Sequence, residues 1–432
     1  MCQVFVLSST KNPLMPTRPA RARRLLRDKK AAVYRLHPFT IILIDRADGE
    51  TQPIEAKFDP GSKTTGIALV GEFPQQGRVV LFAANLNHRG DSIHKRLTDR
   101  LSIRRGRRGR KTRYRQPRFN NRRRREKWLP PSVQSRVDNV KQWLNKLQHF
   151  APLTAIAIET VRFDTQALQN PEISGIDYQH GTLAGYELRE YLLEKWQRTC
   201  AYCGAQKVPL EIEHIVPRSQ GGSNRASNLT LACVPCNQKK GCQSVDTFLA
   251  RDPKRLARIQ AQAKAPLKDA AAVNATRYAI GEALKGFGLP ISFWSGGRTK
   301  KNRVAQNYAK DHWIDAVCVG KSGENVLIPT GMKPLLITAT GRGQRQMVRT
   351  DKYGFPNAKA KAGKTVNGIR TGDIVKVDQP KGKYTGVYCA RVTAINNGNQ
   401  CISISVNKKQ TWFSAKLAQI IQRGDGYAYA NI

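Results

Sequence analysis

Ile54-Glu55-Ala56-Lys57-Phe58-Asp59-Pro60-Gly61-Ser62-Lys63-Thr64-Thr65-Gly66-Ile67-Ala68-Leu69-Val70 is the most informative stretch of this 432-residue chain. Ile54, Ala56 and Phe58 alternate with Glu55, Lys57 and Asp59, which is the period of a β-strand. Pro60 to Gly66 is a turn rich in glycine, and Ile67-Ala68-Leu69-Val70 returns as a second strand. The segment predicts a β-hairpin with one carboxylate, Asp59, at the tip of its first strand.

Two distant segments carry carboxylates in comparable places. Leu153-Thr154-Ala155-Ile156-Ala157-Ile158 reads as a continuous apolar strand that ends at Glu159, and its lack of alternation implies burial on both faces. His312 and Asp315 are three apart on a helix predicted over 311–320, so they share a face. Three acids converging from two strands and a helix hold two divalent ions for in-line phosphoryl displacement.

The rest of the chain reads as alternating α and β elements. Val4 to Leu7 and Phe39 to Ile44 are strands, Pro13-Leu14-Met15-Pro16 is a rigid turn, and Arg21 to Lys30 is a short basic helix. Val133, Val137, Val140, Trp143, Leu144 and Leu147 give an amphipathic helix over 132–150. Helices are predicted over 183–197 and 268–288, with a short strand at Ile291 to Trp294. Beyond about 330 the chain is β-rich with Gly and Lys turns and reads as a small barrel. No repeat of about 20–50 residues runs through it.

Composition narrows the function. Lys and Arg number 74 against 31 Asp and Glu, a net charge of +43, so the expected partner is a polyanion, with nucleic acid first. Residues 88–127 concentrate this charge, with 18 positive residues against three acids. Arginine dominates there, as suits bidentate contacts to phosphate; a face that only solubilises would use Lys and Glu. Ile93, Leu97, Leu101 and Arg104 fall at helical spacing, so the first half is predicted helical. Tyr114, Phe119 and Trp128 either stack on bases or anchor the segment to the core. No apolar run is long enough for a spanning helix, and the N-terminus shows no signal-peptide pattern. Of nine cysteines, four form two C-x-x-C pairs, which reads as metal binding in a reducing compartment. Cys2, Cys242, Cys318, Cys389 and Cys401 form no pattern.

Cys200, Cys203, Cys233 and Cys236 supply a closed tetrahedral thiolate site for structural Zn2+. Glu213-His214 between the two knuckles is not explained by zinc. The order C-x-x-C, Glu213-His214, Asn228-Leu229, C-x-x-C-Asn237 resembles the HNH nuclease motif, the ββα-metal fold. The resemblance implies His214 as the general base that activates water, and Glu213 with Asn237 as oxygen ligands of one Mg2+. It implies that Asn228 orients the loop and the histidine. Many members carry His or Asp where Glu213 stands, and His where Asn237 stands; both replacements here keep oxygen ligation.

Phe58 to Gly66 resembles the first RuvC segment of an RNase H-like nuclease, Ile156-Ala157-Ile158-Glu159 the second, and Asp311-His312-Trp313-Ile314-Asp315-Ala316 the third. With the HNH motif between the second and third, the arginine-rich stretch between the first and second, and Pro-Leu-Met-Pro near the start, the chain resembles the IscB family of transposon-encoded, RNA-guided DNA nucleases. The resemblance covers nearly the full chain and is weakest from 331 to 432. It implies an α/β multidomain fold. In order, these domains are an N-terminal PLMP domain (1–50), RuvC segment I (51–87), an arginine-rich bridge helix (88–127), RuvC segment II (128–192), an HNH domain (193–248), RuvC segment III (249–330) and a β-rich C-terminal domain (331–432).

By the same resemblance Asp59, Glu159 and Asp315 are ligands of two Mg2+ ions, and His312 activates water or assists at that site. Arg100, Arg104, Arg105, Arg107, Arg108, Arg110, Arg113 and Arg115 bind guide RNA. HNH cuts the guide-paired strand of duplex DNA, RuvC cuts the displaced strand, and the C-terminal region meets the RNA scaffold and a short target-adjacent motif. The segments leave no room for a large helical lobe, so a large structured guide RNA is expected to enclose the heteroduplex around one protein copy. The expected setting is the prokaryotic cytoplasm, at the nucleoid when acting. Two other readings fit the composition: a guide-independent nuclease of resolvase or homing type, and a nucleic-acid-binding protein that does not cut. The second has no use for Asp59, Glu159, Asp315 and His214.

Overall fold

The computed structural model describes residues 3–109, 128–160, 192–193, 195–223, 225–263, 268–341, 348, 351–352, 355–359, 363–407 and 409–431. The chain divides into two compact units, one made of residues 1–159 with 279–432 and the other of residues 160–278.

The first unit opens with strands β1 (Val4–Leu7) and β2 (Pro13–Thr17), helix α1 (Pro19–Arg27), and strands β3 (Ala31–Arg35) and β4 (Thr40–Leu43). These form a sheet in the order β2-β1-β4-β3. Pro13 to Pro16 is therefore a strand, not the expected turn. It lies at the sheet edge, where a residue without an N–H leaves no ladder bond unmade. α1 starts with proline at its first turn and carries Arg24 and Arg27 in its last, as the helix dipole favours.

Next come β5 (Ile54–Pro60), β6 (Thr64–Phe73), β7 (Gly77–Asn87), α2 (Gly90–Gly109), α3 (Pro131–Phe150) and β8 (Leu153–Glu159). β5, β6 and β7 form an antiparallel meander, and β8 lies parallel to β5 on its other side. On α3 the predicted apolar face is buried from Val137 to Leu147, and Arg136 and Asn139 are buried with it. Alternation in β5 would leave Lys57 on a solvated face, yet it is 0% exposed.

The second unit holds β9 (Leu210–His214), β10 (Leu229–Cys233) and the helices α4 (Val234–Lys240), α5 (Val245–Phe248) and α6 (Pro253–Ala263). β9 and β10 pair antiparallel, and α4 follows β10 directly, giving a ββα unit. Ile259, Ala263 and Val273 pack in one core with Leu210, Leu229 and Leu231. The segment just after 248, expected in RuvC segment III, thus completes the core of the Cys/His module. Most of the helix expected over 183–197 lies outside the described residues.

Helix α7 (Lys268–Lys285) leads back into the first unit, followed by β11 (Ile291–Trp294), α8 (Gly296–Ala305), α9 (His312–Val317), β12 (Val326–Leu327) and β13 (Leu335–Ala339). Strands β14 (Ile374–Gln379), β15 (Gly386–Asn396), β16 (Cys401–Val406), β17 (Lys409–Ser414) and β18 (Ala418–Gln422) come next, and β19 (Tyr427–Asn431) ends the chain. The central sheet runs β11-β8-β5-β6-β7-β13-β19, with β12 also against β7. Its first five strands are a meander extended by two parallel strands, β8 and β11, the arrangement expected of an RNase H-like core.

The C-terminal region departs from one independent domain over 331–432. β13 and β19 pair with each other, and β13 joins β7 of the central sheet. The strands between them form a separate antiparallel sheet in the order β17-β16-β15-β14-β18, around Val375, Val377, Val392, Ile402 and Ile404. Among the described residues no pairing closes β17 onto β18, so this is an open sheet, not a barrel. Leu335 and Ile337 face the central core, which is why the apolar ends of the segment leave the β-rich part.

Candidate active sites

The parallel register of β5 and β8 sets Phe58 beside Ile158, so Asp59 and Glu159 follow at adjoining strand ends. Helix α9 crosses there with His312 in its first turn, and His312 Nδ1 lies 3.5 Å from Asp59 Oδ2. Asp315 faces the same site one turn on. The structure thus brings together Asp59, Glu159, His312 and Asp315, which are remote in sequence.

Glu159 and Asp315 are buried, at 8% and 6% exposure. Burial holds the Glu159 carboxyl well above the usual carboxylate range, and the negative charges of Asp59 and Asp315 push it further; the Thr299 hydroxyl and Lys310 oppose this. Burial also raises Asp315, against the pull of Lys310 and Arg303. Arg303 Nε stands 2.8 Å from one oxygen of Asp315 and Lys310 Nζ 3.4 Å from the other. The charge of Asp59 thus raises the proton affinity of both Glu159 and Asp315, and a divalent cation among such carboxylates would reverse that repulsion. All donors are hard oxygens, as Mg2+ prefers.

Arg136 and Thr299 were not legible as site residues. Arg136 donates to the Pro60 carbonyl at 2.6 Å, and burial lowers its pKa to about 10 despite the charge of Asp59. Its signal was faint: an arginine on the apolar side of an amphipathic helix.

In the second unit, the sulfurs of Cys200, Cys203, Cys233 and Cys236 lie within 4.8 Å of one another. Four thiolates so placed fit a structural zinc ion and leave no open position. The ββα unit holds Glu213 and His214 at the end of β9 opposite Thr230 and Leu229. Asn228 clamps the loop that follows: its amide donates to the carbonyls of Val216 and Ser223 at 3.0 and 2.8 Å, and its Oδ1 accepts from Val216 N at 2.9 Å.

Two partners in this module escaped the sequence reading. Asn237 Nδ2 donates to Glu211 Oε2 at 2.6 Å, which leaves Oδ1 as the Asn237 donor atom for a cation. Lys240, 0% exposed, reaches Glu213 Oε1 at 2.6 Å and the His214 carbonyl at 2.9 Å. In sequence Lys239-Lys240 is indistinguishable from surface charge. Glu213 thus keeps one oxygen and Asn237 its Oδ1, hard donors of the kind Mg2+ prefers.

Residues 4–181 match the family described as RRXRR protein, and residues 200–243 match the HNH endonuclease family. The chain thus carries an RRXRR-family region and an HNH endonuclease module. No match is found among curated proteins. Among solved structures the chain is similar to RuvC of T. thermophilus in complex with a Holliday junction substrate, at 9% identity over 62% of this chain and 91% of that one, with a TM-score of 0.24. It is similar to the Type II-C Cas9 of Actinomyces naeslundii, at 16% identity over 43% of this chain and 27% of that one, with a TM-score of 0.16. It is also similar to Streptococcus thermophilus Cas9 in complex with the GGAA PAM, at 14% identity over 60% of this chain and 31% of that one, with a TM-score of 0.20. The chain therefore spans about a third or less of the length of either Cas9.

The arginine-rich segment of this chain begins as helix α2, exposed along nearly its whole length, with Leu101 at 60% exposure. Arg100, Arg104, Arg105 and Arg108 all project from exposed positions. The side chain of Arg107, and Arg110, Arg113 and Arg115 entirely, lie outside the described residues. Such a helix gains little from intramolecular burial and presents a basic surface. Among the described residues no helix is long and apolar enough to cross a membrane.

Proposed function

We propose that this chain is an IscB-like nuclease that is RNA-guided and cuts both strands of duplex DNA with Mg2+. In this reading the HNH site cleaves the guide-paired strand, and the RuvC-type site cleaves the displaced strand. One observation carries it: a single chain holds two hydrolytic constellations, one in each compact unit, together with an exposed arginine helix.

At the RuvC-type site Asp59, Glu159 and Asp315 would hold two Mg2+ ions, and at the HNH site Glu213 and Asn237 would hold one. When bound, the ions supply Lewis acidity and offset the charge that develops on the phosphate. His312, beside Asp59, receives a proton from the attacking water at the first site, and the carboxylate favours the resulting imidazolium. His214 receives the corresponding proton at the second. Asn228 fixes the loop that orients His214, and Lys240 fixes Glu213. Zn2+ at the four cysteines is structural. The arginines of residues 100–115 bind phosphates of a large structured guide RNA, with one protein copy per ribonucleoprotein. The high net charge supports such a partner.

The experiment is to purify the protein from its native cell without nuclease treatment and to sequence the bound RNA. A single structured RNA with one variable end is expected, and it supplies the reagent for a strand-resolved assay. There His214→Ala leaves only the displaced strand cut, and Asp59→Ala only the paired strand. Heterogeneous RNA, or loss of both cuts in either variant, overturns the reading.

A further inference from the structure

We propose that Lys57 and Asn302 are positioning residues of the RuvC-type centre, which hold the carboxyl end of α9 and thereby set His312 and Asp315 against Asp59. The inference deepens the metal-dependent reading of that site and rests on it.

Helix α9 has only six residues, too few to be stable by its own hydrogen bonds, yet it carries two groups of the site. The four carbonyls at and beyond its end are taken in strict alternation by two side chains. Lys57 Nζ donates to the carbonyls of Val317 and Val319 at 3.2 and 3.0 Å. Asn302 Nδ2 donates to those of Cys318 and Gly320 at 2.9 and 2.7 Å. Both donors are buried, at 0% and 4% exposure.

The anchor also ties the helix to the strand that bears the opposing carboxylate. Lys57 lies two residues before Asp59 on β5, and the period of two places them on one face. Glu55, a further two residues back, stands 3.6 Å from Lys57 Nζ and accepts from Ser322 Oγ beyond the same helix. A lysine buried only to fill space would be replaced without loss by methionine, which carries no desolvation cost. Here its ammonium supplies what methionine lacks, two donors aimed at a helix terminus that has no other cap from β5.

The test titrates Mn2+ into the full chain by calorimetry, for the wild type, Asp59→Ala, Lys57→Met, Asn302→Leu and the Lys57→Met/Asn302→Leu double variant, with thermal melting alongside. Asp59→Ala is expected to abolish one class of Mn2+ sites. Each positioning variant is expected to weaken that class about tenfold, the size typical of residues that orient metal ligands, while the other class is unchanged. Because both side chains hold one helix end, the double variant should fall well short of the product of the two effects. Asn302→Leu serves if Lys57→Met does not fold. If the variants lower the melting temperature but keep the wild-type Mn2+ affinity, the residues only stabilise the fold and the proposal is wrong. If Asp59→Ala itself retains every site, the metal reading of the centre fails, and the positioning proposal with it.

Discussion

The Cβ that Gly66 lacks would lie 1.8 Å from the carbonyl oxygen of His312. It would also lie 2.4 Å from the carbonyl carbon of His312 and 3.0 Å from Trp313 N, all backbone atoms that no rotamer change can move. Gly66, expected as the last turn residue but placed within β6, is thus a packing requirement of the Asp59 site. Gly66→Ala should displace α9 from β6 and lower Asp59-dependent cleavage by about 100-fold, the cost of a misplacement near 1 Å. His214-dependent cleavage by the same preparation should stay at the wild-type rate. Equal loss of both activities would mean that the fold, not the site, had failed.

Lys240 and Glu213 form a buried ion pair whose cation has no access to water. Removing one partner of such a pair costs about 3–5 kcal/mol, because the other charge is left buried and unmatched. Lys240→Met should therefore destabilise the Cys/His unit and depress HNH-strand cleavage, while Asp59-dependent cleavage persists. Denaturant unfolding together with the strand-resolved assay checks both halves.

Zinc should be stoichiometric and structural. The four sulfurs converge from two knuckles, and the core around Cys200 and Cys233 is small. Elemental analysis should find one zinc per chain, and a strong chelator should unfold the second unit while the RNase H-like core still melts cooperatively. Cys203→Ser should reproduce the chelator effect without changing the melting of the core.

Asp425 joins three parts of the first unit: its Oδ2 is 2.6 Å from Arg35 and 2.7 Å from Lys146, and it accepts from the Tyr429 hydroxyl. Burial by itself would raise its carboxyl, but Lys146, Tyr429 and Arg35 together hold it below the usual carboxylate range. A carboxylate with a depressed folded pKa contributes stability above its unfolded value, about 3.9, and loses it as the pH falls through the folded value. Asp425→Asn should thus cost about 3 kcal/mol at pH 7. The gap between variant and wild type should close below about pH 4, as read from chemical unfolding at each pH. A gap that held constant into acid would show that the charge contributes nothing.

The Cys/His module was legible because its determinants are local. Cysteine spacing, the Glu213-His214 pair and Asn237 fall within one short ββα unit, whose geometry follows from two adjacent strands and the helix after them. The hairpin, the buried strand β8 and the amphipathic face of α3 were legible for the same reason, since a period of two or of 3.6 fixes which side chains share a face. The likeness of three short segments to RuvC then named Asp59, Glu159, His312 and Asp315, but no period relates residues 59 and 315.

Only the tertiary structure determined what lies against each face. It made Lys57 and Lys240 core cations, set Arg136 behind the Pro60 carbonyl, and turned Pro13–Pro16 into an edge strand. It also sent β13 and β19 into the central sheet, away from the β-rich segment they flank. A lone charged residue reads as solvated in any sequence pattern, because solvation is the default when no partner is in view. Its burial becomes stable only when remote carbonyls or carboxylates arrive to replace water, and those partners are brought by the fold.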